Sequence, residues 1–141
     1  MTREEITAMF ERRYEAWNRR DTAALVEDVS EDCVVDSPLA GGKTEGRAAI
    51  EQLHRDFFHA FPDARLQWDD TLIDGNRVML VGRLSGTDTG GFMAIPATGR
   101  SFDIPLLLFY TLRNGLIVYE RRIYDFTGML VQVGALKAKP I

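Results

Sequence analysis

The 141-residue chain is short of the residues that build disulfides and metal centres, with one cysteine, Cys33, and two histidines, His54 and His59. A single thiol closes no internal disulfide, and these three side chains fall short of a Cys/His metal cluster, so no metal is expected. No apolar run reaches the roughly 18 residues that cross a bilayer. The opening Met1-Thr2-Arg3-Glu4-Glu5 lacks the basic-then-apolar order of a secretory leader. Lys and Arg form no run, and 17 of them against 21 Asp and Glu leave a formal charge of -4, which disfavours a nucleic-acid surface. These absences lead us to expect a cytoplasmic protein without a membrane or nucleic-acid partner.

What is present is an ordinary globular balance, 45% apolar and 27% charged. A chain of this length buries roughly two-thirds of its unfolded surface in one domain, enough to enclose an apolar pocket. With no internal repeat or linker, one domain over residues 1–135 and a tail at 136–141 are expected.

Thr2 and Glu5 form a capping box, after which Ile6, Met9, Phe10, Tyr14 and Trp17 recur at helical spacing. Arg13 shares that face, either as a stem covering the core with its head at the rim or as a pocket residue. Asp21 caps a second short helix through Ala24, Leu25 and Val29. Cys33 to Pro38 reads as a strand with Asp36 near its end, placed for turn chemistry or for a cleft, and 40–43 as a loop. A third helix from Gly46 carries Ile50, Leu53, Phe57, Phe58 and Phe61 on one face. His54 falls among them, as a satisfied core histidine or a catalytic one, and Pro62 ends the helix.

Four strand-like stretches follow, Leu66 to Ile73, Val78 to Gly86, Gly99 to Leu112 and Leu116 to Asp125, with turn signals at Asp74-Gly75-Asn76 and Arg113-Asn114-Gly115. Consecutive hairpins of this kind give an antiparallel sheet. The glycine-rich segment from Asp88 to Gly99, with Phe92 and Met93, suits a loop over a cavity mouth. Pro105 to Tyr110 is apolar on both strand faces, which calls for helices on one side and a second chain on the other, hence a homodimer through the outer sheet face. Helices, then hairpins, then a short helix ending at Gly134 make an α+β domain, a strongly curved sheet wrapped around the three N-terminal helices. Gly82, Gly86, Gly90 and Gly91 are candidate bend points.

Along the last strand, alternation counted from Ile117 places Tyr119, Arg121, Ile123 and Asp125 on one face. Asp125 stands where strand gives way to helix, and the residues leave two roles open. As a general base it would need apolar walls, such as Tyr124 and Phe126, to raise its pKa. As an N-cap it would accept a bond from a backbone N–H two or three residues on and stay ionised. Arg121 could meet a substrate oxygen across the cavity or bridge to Asp103 or Asp36. Tyr14, Trp17, Phe58, Phe92 and Tyr119 read as core or pocket walls.

The blocks Phe61-Pro62-Asp63, Gly75-Asn76-Arg77-Val78, Gly86-Thr87-Asp88-Thr89-Gly90, Pro96-Ala97-Thr98-Gly99-Arg100, Asn114-Gly115-Leu116-Ile117 and Asp125 to Gly134 resemble, in order, the SnoaL-like polyketide cyclase family. That family lies within the cone-shaped fold of nuclear transport factor 2 and ketosteroid isomerase. The likeness covers about half the chain, with looser agreement at 16–21 and 46–50. It implies an enzyme closing a ring by intramolecular aldol chemistry on a small hydrophobic carbonyl compound, with no metal or organic cofactor and with the aspartate matching Asp125 as acid/base. Arg121 joins it as a catalytic candidate. Candidate substrate contacts are Arg13, Tyr14, Trp17, Asp36, His54, Phe58, Asp88, Phe92, Asp103 and Tyr119. Asp88 stands where the family commonly has His, and Arg121 where it often has Trp. The ketosteroid isomerase aspartate falls on Ser37, with Asp36 one residue earlier and so on the opposite strand face, which disfavours double-bond isomerisation. Two other functions fit this fold: epoxide hydrolysis as in the limonene epoxide hydrolase branch, using two aspartates and an arginine, and non-catalytic ligand binding or dimerisation.

Overall fold

In the computed structural model, which describes residues 1–39, 41–137 and 139, three helices lie in the hollow of a curved six-stranded sheet. Helix α1, Arg3–Asn18, starts at the Thr2–Glu5 capping box and buries Ile6, Met9, Phe10, Arg13 and Ala16. It ends at Arg20, whose positive φ of 57° turns the chain and whose guanidinium donates to the carbonyls of Asn18, Pro62 and Ala64. That clamp fixes the end of α1 to the end of α3, Arg47–Ala60. Helix α2 is one turn, Thr22–Leu25, capped by Asp21. It stops short of Val29, contrary to the sequence reading, because Val29 already opens a strand.

The strands are β1 (Val29–Ser37), β2 (Gly42–Glu45), β3 (Arg65–Asp74), β4 (Arg77–Thr87), β5 (Ser101–Arg113) and β6 (Leu116–Tyr124). Their order is β2-β1-β6-β5-β4-β3, with β1 and β6 parallel and all other pairs antiparallel, so the sheet is mixed and open. Strand β2 corrects the expected loop: Gly41 and Gly42, both at positive φ, turn the chain back so that 42–45 pairs with β1. Helix α4, Phe126–Gln132, follows β6 and packs Met129 into the core. Of the expected tail at 136–141, residues 138, 140 and 141 lie outside the described residues. No described helix is long and apolar enough to cross a membrane.

Two single-residue bulges shape the sheet. In β3, Trp68 pairs with Gly82 and Asp70 with Val81, so Asp69 is extra. In β6, Ile117 pairs with Leu112 and Tyr119 with Thr111, so Val118 is extra. Each added residue bends its strand and reverses which side chains face inward beyond it. Gly82 lies opposite the first bulge, so close that a β-carbon there would meet the Gln67 carbonyl oxygen at 1.9 Å. Along β5 one face, Phe102 to Leu112, is buried under the helices. The other has Pro105 exposed and Leu107 and Phe109 half-buried, with the Arg77 guanidinium 4.7 Å over the Phe109 ring.

Candidate active site

The bulge at Val118 decides the site. Ile117 faces inward, and without the extra residue Tyr119 and Arg121 would follow it; with it, Glu120, Arg122 and Tyr124 do. These three meet Tyr110, Leu106 and Leu108 of β5, Leu84 of β4, and Leu66 and Trp68 of β3. The helices add Arg13, Trp17, Leu25, His54 and Phe57, and the β1–β2 turn adds Leu39. Together they line an interior cavity of about 60 Å³.

Its walls are mostly apolar, and its polar groups converge. Arg122 donates to Oε2 of Glu120 through Nη2 at 3.0 Å and Nε at 3.2 Å, in a pair whose side chains are 15% and 6% exposed. Burial alone would raise the Glu120 pKa, but Arg122 and Arg13 outweigh it and hold the carboxyl below its usual range. Tyr110 sits directly across the β5–β6 register from Glu120, and its phenol is kept protonated by burial, then by the neighbouring negative charge. His54 is 6% exposed, and burial followed by the Arg122 charge pushes it down to about 3, so the ring is neutral at neutral pH. Arg13, 5% exposed, donates from Nη1 to the Leu25 carbonyl at 2.6 Å and lies 5.7 Å above the Tyr110 ring. The Tyr124 hydroxyl accepts from the Leu39 backbone N–H at 3.2 Å and lies 3.4 Å from the buried Ser37 hydroxyl.

Of the residues singled out from sequence, the structure brings Arg13, Trp17 and His54 to this cavity. Asp125 is an exposed N-cap, accepting from the Gly128 N–H at 2.8 Å, so the cap alternative describes its position and the expected place in the cup is corrected. Arg121 is exposed on the outer face beside Asp36, its register partner on β1, in a shallow surface cleft. Tyr119 lies on that face too, displaced with Arg121 by the bulge. Asp103 pairs with Arg83 at the surface. Asp36 and Arg121 share that shallow cleft, Asp103 lines a different one with Arg83, and Asp125 lines neither.

Asp88 is fully buried but structural: its carboxylate accepts from the N–H groups of Gly91 and Thr98 and from the Thr98 hydroxyl, tying the 88–99 loop together. Tyr14 packs at a tilt against Trp68 and is not among the cavity's lining residues, Phe58 of α3 packs edge-on against Trp17 of α1, and Phe92 lines an outer groove with Phe61. Sequence reasoning missed Glu120, Arg122, Tyr110 and Trp68, and named Tyr124 only as a wall beside Asp125. Counting alternation back from Tyr124 would have found the first two; counting forward from Ile117 put them outside. Among the described residues no group of His, Cys, Asp and Glu is arranged to hold a metal ion.

A curved sheet cupped around helices is the cone-shaped α+β fold shared by nuclear transport factor 2 and ketosteroid isomerase. A structure from Catenulispora acidiphila described as having a ketosteroid isomerase-like fold has this architecture at 18% identity (TM-score 0.76, 95% of each chain). The SnoaL-like polyketide cyclase model matches residues 7–133, and the chain belongs to that family. Solved structures similar to it include AclR from Streptomyces galilaeus, described as a candidate hydroxylase, at 25% identity, 99% of this chain, 91% of that one and TM-score 0.83. IdmH from Streptomyces antibioticus, described as a candidate polyketide cyclase, has 28% identity, 91% and 97% coverage and TM-score 0.76. No curated protein matches the chain. The family and these neighbours support a cyclase-like enzyme.

Proposed function

We propose that the chain is a cofactor-free, cytoplasmic enzyme that moves a proton at carbon in a small conjugated carbonyl compound and so closes a ring by intramolecular aldol addition. The observation that carries this reading is the buried Glu120–Arg122 pair, with neutral His54 beside it, at the wall of an otherwise apolar cavity. Glu120 takes the place the sequence reading gave to Asp125. Its carboxylate, held ionised by Arg122, is a weak base, so the proton it removes must be acidic, as between two carbonyl groups. The C–H electron pair passes to a carbonyl oxygen, where the guanidinium charge and the Tyr110 hydroxyl offset the developing enolate. The carbanion carbon then adds to a second carbonyl carbon of the same molecule, and the new alkoxide takes its proton back from Glu120.

The test is carbon hydrogen–deuterium exchange in 1-phenylbutane-1,3-dione and related aryl 1,3-dicarbonyls, followed by proton NMR in D₂O. Glu120→Gln should lose at least about 100-fold in exchange rate while Glu120→Asp recovers part of it, and Asp125→Asn should stay within about twofold of wild type, since general acid–base groups alone carry such factors. Undiminished exchange in a folded Glu120→Gln protein would remove Glu120 from the chemistry.

We further propose a homodimer through the outer sheet face. In its favour are the register neighbours Leu107 and Ile123, Met79 and Phe109, and Val81 and Leu107, an apolar patch with Ile123 exposed and the others half-buried.

A further inference from the structure

The charges lining the cavity do not cancel. Among its described lining residues the ionisable side chains are Arg13, His54, Glu120, Arg122 and the two tyrosines. His54 and both phenols are neutral there, since burial lowers the one and raises the others. Two guanidiniums therefore face one carboxylate. Arg122 makes both of its hydrogen bonds to Oε2 of that carboxylate, and no described acidic group lies within ion-pair distance of Arg13. Arg13 is 5% exposed, yet its hydrogen bonding to protein is one bond from Nη1 to a backbone carbonyl. A guanidinium carries five N–H donors, so most of its capacity is left for something else. The aromatic face of Tyr110 at 5.7 Å offsets part of the cost of burial but accepts no proton in a hydrogen bond of normal strength. Glu120, whose ionised form Arg13 also favours, offsets one of the two guanidinium charges, so the lining keeps one positive charge in excess.

Resting on the reading of this cavity as the substrate site, we infer that the substrate enters as an anion, a carboxylic acid rather than its ester or amide, with its carboxylate held by Arg13. The work is then divided. Arg13 binds and orients the acid group, while Glu120, Arg122 and His54 address the reacting carbon. Planar, two-pronged donors suit a carboxylate, and the apolar walls strengthen the pairing.

The probes are benzoate and its neutral isostere benzamide at pH 7, titrated into the full chain while carbon-13 methyl resonances of Leu25 and Leu106 report occupancy. Benzoate should bind at least about tenfold more tightly than benzamide, as a charge-assisted contact in a desolvated site should. Arg13→Gln should bring the two within about twofold by weakening benzoate alone, and Arg13→Lys should keep a preference for benzoate. Methyl shifts with equal affinity for both probes in the wild-type protein, a measurement that needs no variant, would overturn the anionic substrate and leave the site standing. Methyls unmoved by either probe at saturating concentration would overturn the site, and this inference with it.

Discussion

His54 shows how one side chain sets a pH dependence. Its folded-state value of about 3 lies below the ordinary 6.5, so the unfolded chain binds a proton that the folded chain refuses. The stabilisation is complete above about pH 6.5 and is lost as pH falls toward 3, at up to about 1.4 kcal/mol per pH unit. Glu120 and Asp63, whose carboxyls are held low, lose stability in the same direction only below their ordinary 4.5 and 3.8. Between pH 6.5 and 5 the slope therefore belongs to His54. Urea midpoints should fall across that window in the wild-type protein and stay level in His54→Phe; a wild-type midpoint that does not move would mean that the ring is solvated. Residue by residue, the sequence was informative where a side chain's type matches its helical face. Arg13 and His54 stood out as polar groups on apolar faces and are in the cavity. It misled at Asp125, because an aspartate before a helix satisfies two descriptions, and only the 2.8 Å bond to Gly128 separates them.

At the scale of the element, helices α1 and α3, the four long hairpin strands and the final helix were all legible, because caps, prolines and period are local signals. The bulges were not, since an extra residue in a strand has no composition of its own. Gly82 was the nearest clue. Named as a bend point, it sits opposite the first bulge, where a side chain has no room against Gln67 and Trp68. Gly82→Ala should cost about 1–3 kcal/mol by overpacking, read as a lowered urea midpoint. An unchanged midpoint would mean that β3 and β4 are further apart there. Since Trp68 lines the cavity on the strand that would be displaced, the variant should also weaken benzoate binding.

For the whole molecule, the sheet's two faces do different work. The inner one closes a cavity with the helices; the outer one carries an apolar patch that the proposed dimer would cover. Ultracentrifugation of the wild-type protein should give twice the chain mass, and Leu107→Glu with Ile123→Glu the single chain mass. Sedimentation of the wild-type protein as a single chain would end the proposal. The bulge at Val118 joins these two faces in inheritance as well as in space. Removing one residue there would slide the rest of β6 by one position. Glu120, Arg122 and Tyr124 would trade places with Tyr119, Arg121 and Ile123, so cavity lining and outer face would change hands in a single genetic step. Relatives that differ by one codon at this point would hold different chemistry in the same cup, and an ungapped alignment of them would pair each one's cavity residues with the other's surface.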